Sequence, residues 1–152
     1  MDTINLQDKT SAEKGKVDVF WVESKNIFLK KTVFHSMNIP LKPFELELDG
    51  ETQTIETQIA IDWLNLHLRD PFELDKLILK SSPNDGSEIF ISIGDVRNPC
   101  AIKKMAINKI SDNLYEIDCI FRVDFEHEKI AKNEIFMFKT QVELDPQLKG
   151  AK

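Results

Sequence analysis

Cysteine is scarce in this 152-residue chain: Cys100 and Cys119 are the only two, and they form no C-x-x-C or Cys/His ligand spacing. Neither a disulfide scaffold nor a zinc ribbon is expected, and the pair reads as reduced thiols of a cytoplasmic protein. Glycine is equally sparse. None of the five stands in G-x-G-x-x-G or G-x-x-x-x-G-K spacing, which argues against the phosphate-cradling loops of P-loop and dinucleotide folds. The three histidines, His35, His67 and His127, are too scattered for a metal site. In Glu126-His127-Glu128, adjacent side chains of an extended chain point to opposite faces and cannot converge on one ion without a bulge. No apolar run approaches the roughly 18 residues of a spanning helix, and Met1 to Thr10 lacks the basic start and apolar centre of a secretion signal. No cofactor, no metal and no membrane partner are expected.

What is present describes one ordinary folded domain. Hydrophobic residues make up 41% and charged residues 30%, and ten phenylalanines exclude full disorder. A chain of this length buries roughly 68–70% of its unfolded surface and holds a core without staples. The net charge of −6 opposes non-specific binding to phosphate backbones, so no nucleic-acid partner is expected and a basic protein is the better candidate. The acidity is concentrated. Phe44 to Lys76 carries nine acids against Arg69 and Lys76, and Asp112 to Glu128 carries six against Arg122. Such runs are commonly solvated faces, and the functional alternative is an acidic docking surface.

Residues 1–15 read as a loose N-terminal arm, 16–145 as a single β-rich domain, and 146–152 as a C-terminal tail. Val17 to Val22 and Ile27 to Phe34, separated by Glu23-Ser24-Lys25-Asn26, predict two strands. Phe44 to Leu48 alternates and stops at Asp49-Gly50, a pair suited to the positive φ of a tight turn. Ile55, Ile59, Trp63 and Leu66 recur at helical spacing and predict a helix over 54–69 that ends before Pro71. Ile59, Ile61 and Trp63 also alternate as a strand would. Leu74 to Lys80, Glu88 to Ile93 and Ala101 to Ile110 predict further strands, with Gly94 to Pro99 as a turn. The clearest segment is the next: Tyr115, Ile117, Cys119, Phe121, Val123 and Phe125 share one parity, and Glu116, Asp118, Arg122, Asp124 and Glu126 the other, with Ile120 as the exception. Glu134 to Leu144 returns as its hairpin partner. The expected fold is α+β and predominantly antiparallel β, a sandwich or strongly curled sheet of about eight strands with one helix.

No catalytic constellation emerges. No G-x-S-x-G elbow marks a nucleophile, Cys119 shares the parity of core phenylalanines, and Cys100 has only Arg97, Lys103 and Lys104 as basic neighbours in sequence. Carboxylates are plentiful, but acid/base catalysis needs two of them in a concave cleft. Trp21 and Trp63 read as core residues, with an interface anchor as the alternative.

The turn Pro83-Asn84-Asp85-Gly86, the Arg97-Asn98-Pro99 loop and the run Asp124-Phe125-Glu126-His127-Glu128 leading into Asn133-Glu134 resemble those of small bacterial toxin-immunity proteins of the contact-dependent growth-inhibition kind. The resemblance covers about 73–144 and implies a stoichiometric inhibitor bound to a basic toxin domain. The expected partner-binding residues are the outward parity of the long strand, Glu116, Asp118, Asp124 and Glu126, with Asp62, Asp70 and Glu73 as a second cluster. An oligomeric structural or chaperone-like subunit and a small enzyme with an unrecognised cleft are the alternatives.

Overall fold

A computed structural model describes residues 2–24, 29–83 and 86–151. Alternation dominates the sequence, and the chain is accordingly mostly β. A short helix α1 (Leu6–Lys9) precedes strands β1 (Gly15–Ser24), β2 (Leu29–Pro40), β3 (Phe44–Leu48), β4 (Glu51–Ile55), β5 (Gln58–Leu64), β6 (Leu77–Leu79), β7 (Glu88–Ile93), β8 (Val96–Ser111), β9 (Leu114–Val123) and β10 (Glu134–Ala151). Seven of them close a ring in the order β8-β7-β5-β2-β1-β10-β9, with β9 returning to β8. The sheet thus curls until it closes into a barrel instead of stacking as a sandwich, which removes the free edges of an open sheet. The 16-residue β8 pairs with β7 along its first part and with β6 along its second, while β9 lies on its other side.

Closure depends on one parallel pair. β1 runs alongside the second half of β10, Gly15 opposite Val142 and Val22 opposite Ala151, whereas all the other strand pairs are antiparallel. Gly15 is required at its position because a Cβ there would lie 2.4 Å from the Asn38 carbonyl oxygen. Inward-facing Val17, Val19, Met37, Ile39, Ile59, Ile61, Ile91, Met105, Ile117, Phe121 and Phe136 fill the interior. A barrel of this size is filled by its own side chains and leaves no channel.

Four expectations are corrected. No helix occupies 54–69: Ile55 ends β4, Ile59 opens the inward row of β5, and the offset of four comes from the Glu56-Thr57 link between two strands. Trp63 does not continue that row. It adopts φ +58° in a bulge where β5 spends three steps, Ile61 to Leu64, against two on β2, Met37 to His35. The bulge turns Trp63 outward, 41% exposed, onto the rings of Phe20 and Phe34 at 5.6 and 5.3 Å. Residues 146–151, expected as part of a tail, continue β10 to Ala151 against β1. Two extra β10 residues between the pairs Val17–Leu144 and Val19–Leu148 form a bulge around Pro146, which has no N–H to give a ladder. The turn expected over Gly94 to Pro99 is confined to Gly94-Asp95, and β8 resumes at Val96. Of the other expected loops, 25–28 and 84–85 lie outside the described residues.

The N-terminal stretch is not a loose arm either. Ile4 and Leu6 are buried, and Ala12 bridges to Leu41. The Glu134 carboxylate accepts the backbone N–H groups of Asn5 and Leu6 at 3.1 and 2.9 Å. Ahead of Val142, the side of β10 that later receives β1 carries no strand. Gln7 serves it instead, its Oε1 accepting Met137 N–H and its Nε2 donating to Met137 O, both at 2.8 Å. One side-chain amide thus takes the place of a strand residue, satisfying groups that would otherwise form an open edge.

Replacing Glu134 by Ala removes both acceptors at the start of α1. The expected loss is about 1–3 kcal/mol in urea unfolding with unchanged slope. Amides of residues 4–7 are expected to exchange faster. Unchanged midpoint and unchanged exchange would show that the carboxylate does not hold the segment.

Candidate functional site

The expected acidic stripe is divided by the fold. Glu116 and Asp118 stand on the outer face of β9, where Asp118 lies opposite Lys139 and Glu116 pairs with the Lys139 ammonium at 3.4 Å. Asp124 and Glu126 lie beyond the strand and shape the connection to β10. Asp124 Oδ1 accepts His127 N–H, and Glu126 and Asn133 exchange hydrogen bonds, each side chain accepting the other's backbone N–H at 3.0 and 2.9 Å. Those two carboxylates therefore have local structural work.

The second cluster also separates. Asp70 Oδ1 accepts Phe72 N–H, and Glu73 Oε1 accepts Asp75 N–H, so both cap turns in the loop 65–76 that follows β5. That loop plugs the barrel with fully buried Leu74 and is pinned from inside by two strands. Tyr115 Oη donates to Phe72 O at 3.2 Å and accepts Leu74 N–H at 3.4 Å, while His35 Nε2 donates to Pro71 O at 2.6 Å. Buried His35 leaves Nδ1 without a partner, and burial holds its pKa below the ordinary histidine value, keeping the ring neutral.

Asp62 stands elsewhere, on the outer face of β5 directly opposite Glu88 of β7. Both belong to the outer surface around a concavity of about 580 Å3 whose lining includes Glu56, Asp62, Phe90 and Arg97. Arg97 stacks over the Phe90 ring at 4.4 Å. Partial burial, then the Glu88 charge, push the Asp62 pKa up, against the opposing pull of Arg97. Like charges opposite one another across a ladder are destabilising, so this pair costs the fold something that Arg97 only partly offsets.

Sequence reasoning counted Glu45, Glu47, Asp49 and Glu51 within an acidic run but did not choose them as partner-binding residues. The β3–β4 hairpin forms its own two-stranded sheet, turning at Asp49 (φ +53°) and Gly50 (φ +81°). Phe44, Leu46 and Ile55 join the core, while Glu45, Glu47, Asp49 and Glu51 are solvent-facing, and no ion pair among the described residues involves them. The hairpin leads through Glu56 into the concavity that holds Asp62. The alternation Phe44-Glu45-Leu46-Glu47 carried this signal. That these carboxylates form no ion pair among the described residues could only be read from the fold.

Among the described residues no three His, Cys, Asp or Glu side chains converge as a metal-ligand set. No helix among them is long and apolar enough to cross a membrane. Both cysteines are free thiols. Burial pushes the Cys100 thiol up to about 12 and raises Cys119 further, so both are protonated at neutral pH and poor nucleophiles. Comparisons with family models, with curated proteins and with solved structures return no match to this chain.

His35 and Asp62 give stability opposite pH dependences. The unfolded chain protonates His35 at the ordinary value of 6.5, whereas the folded chain resists, so its contribution is complete above that value and declines as pH falls through it. Asp62, with a raised folded pKa, costs stability as pH rises through the range just above its ordinary 3.8. In His35→Gln the fall in melting temperature between about pH 7.5 and 5.5 is expected to flatten relative to wild type. In Asp62→Asn the melting temperature at pH 7 is expected to rise slightly. An unchanged slope in the first variant would show that His35 is not neutral in the fold.

Proposed function

We infer that this chain is a binding module for a basic protein partner, acting in the cytoplasm in the manner of an immunity protein that neutralises a cognate toxin by stoichiometric binding. One observation carries the reading: exposed carboxylates crowd one hairpin, Glu45 and Glu47 on its outer side, Asp49 at its turn and Glu51 across from Leu48, all free of ion pairs among the described residues, and the chain leads on through Glu56 to the concavity of Asp62. Such a field attracts a basic surface from a distance and raises its association rate, an effect that salt screens. Leu46 and Ile55 anchor the hairpin in the core, so its charges are presented on a fixed ribbon.

This reading shifts the main contact from the β9 face to the hairpin and the Asp62 concavity. On β9 the ammonium of Lys139 offsets Glu116, and Arg122 follows two positions beyond Ile120, so the local field is mixed. The two thiols, held protonated by burial, offer no nucleophile beside this surface. A second reading, an oligomeric subunit, draws on a different surface, the apolar row of β9 and β10.

The test begins with affinity capture of the tagged chain from its native host, mass spectrometry of the eluate and salt titration of the complex. One stoichiometric basic partner is expected, with association slowing as salt rises. With that partner, the triple variant Glu45→Lys, Glu47→Lys, Glu51→Lys is expected to lower the association rate at least about tenfold at low salt. Reversal of Glu116 and Asp118 is expected to change it far less. An association rate indifferent to the hairpin reversal would end the acidic-surface reading.

A further inference from the structure

The acid-lined concavity of Asp62 has a counterpart of opposite sign. A second concavity, of about 330 Å3, opens between β2 and the loop 65–76, and its lining holds Lys31, His67 and Arg69 but no carboxylate. The sequence prepares it on both sides. From Ser24 to Phe44 the chain carries Lys25, Lys30, Lys31 and Lys42 and no Asp or Glu. In the loop, Leu66 and Leu68 pack against the core, which leaves His67 and Arg69 exposed.

The acids of the neighbouring segments leave these cations uncompensated. Asp70 accepts Phe72 N–H, Glu73 pairs with Lys109 at 3.9 Å, and Asp75 accepts Lys109 N–H. Among the described residues, neither these acids nor Glu23 at the end of β1 forms an ion pair with Lys31 or Arg69. The Lys31 ammonium lies over the Trp21 ring at 4.7 Å, a contact that orients it while leaving N–H groups to donate. Asn65 Oδ1 accepts His67 N–H at 3.1 Å, so the Nδ2 donors of the same amide remain for a ligand.

An ammonium, a guanidinium and an amide donor along one wall fit an anion. His35 narrows which one. It belongs to the same lining, is 2% exposed and gives its Nε2 proton to Pro71 O, so Nδ1 keeps a lone pair that has no donor. A buried acceptor in that state costs stability, and a bound O–H group removes the cost. A carboxylate has no proton to give near neutral pH, whereas a phosphate monoester, with a second pKa of about 6, still holds one on part of its molecules. Its three terminal oxygens also meet an ammonium, a guanidinium and an imidazole at once. The cavity lies at the small end of ligand pockets, and Val33, Leu66 and Leu68 give it an apolar side, which suits a compact carbon skeleton. We propose that this cavity binds a small phosphate monoester, its phosphate held by Lys31, Arg69 and Asn65 and its carbon part against Val33, Leu66 and Leu68.

The site is independent of the acidic hairpin, which carries none of these residues. Titration calorimetry of the full chain with inorganic phosphate and with phenyl phosphate reads it directly. One saturable site is expected, with phenyl phosphate binding at least about threefold tighter because its ring covers the apolar side. Arg69→Gln and Lys31→Gln are each expected to weaken both ligands at least about tenfold while keeping the melting temperature, because both side chains are exposed. Lys103→Gln with Lys104→Gln, which removes charge from β8 instead, is expected to leave binding within about twofold of wild type. Acetate is expected to bind at least about tenfold more weakly than phosphate. Binding that does not saturate, an affinity unmoved by Arg69→Gln, acetate as tight as phosphate, or phenyl phosphate no tighter than inorganic phosphate overturns the proposal. So does a phosphoserine peptide that binds more tightly than phenyl phosphate, which would assign the cavity to a phosphorylated protein.

Discussion

Six of the seven contacts around the barrel join strands that are consecutive or separated by a short excursion: β2 reaches β5 past the β3–β4 hairpin, and β5 reaches β7 past β6. The seventh joins the beginning of the chain to its end. Until β1 lies along Val142 to Ala151 of β10, both strands are open edges and the interior row of Val17, Val19, Val142 and Leu144 has no complete wall. The loop closed by that pairing spans most of the chain, so this contact carries the largest closure entropy of the seven. Several otherwise unrelated features serve this one contact. The bulge at Pro146 absorbs two residues that would break register, Lys149 reaches Asp18 across the pair at 2.8 Å, and Lys14 meets Glu143 at 3.3 Å.

The same closure explains the order at both chain ends. β10 is longer than β1 can cover, and the uncovered part beside Met137 would be an open edge. Gln7 fills that place, and Glu134 fixes the peptide that carries Gln7. Polar composition made residues 1–15 look like an arm, since the decisive groups are a carboxylate and an amide whose partners stand more than a hundred positions away. Likewise Asp145, Pro146 and Gln147 resemble the start of a tail because a bulge uses turn-forming residues.

Where side-chain period and local geometry agreed, the fold was legible. The parity of Tyr115 to Val123 predicts the inward row of β9, and Asp49-Gly50 predicts a turn at which both residues do have positive φ. The misread stretch, 54–69, is instructive for the opposite reason. Two strand rows, a two-residue link and a bulge placed Ile55, Ile59 and Trp63 four apart, so three unrelated constraints imitated one helical period. Trp63 belongs to an outer aromatic cluster with Phe20 and Phe34, and only the bulge shows that it faces away from Ile61 and Leu64. The acidic residues were legible as composition but not as a surface: parity grouped Glu116 with Glu126, whereas the end of β9 at Val123 gives them different tasks.

Charge on this barrel follows what each element must do for the fold. Strands β8 to β10 are joined to one another through β9, and their outer face tolerates alternating signs because cross-strand pairs such as Lys139 with Glu116 stabilise it. The β3–β4 hairpin stands outside the ring, held by the apolar side of an alternating ribbon, and its outer side is free of any pairing requirement within the chain. Repulsion among the exposed carboxylates of the hairpin costs little because water solvates them and the core contacts of Phe44, Leu46 and Ile55 fix the ribbon regardless. The element with least structural obligation thus carries the least compensated charge. A field of one sign suits a partner of the other, and the fold keeps it on a sheet separate from the mixed-charge face of β9 and β10.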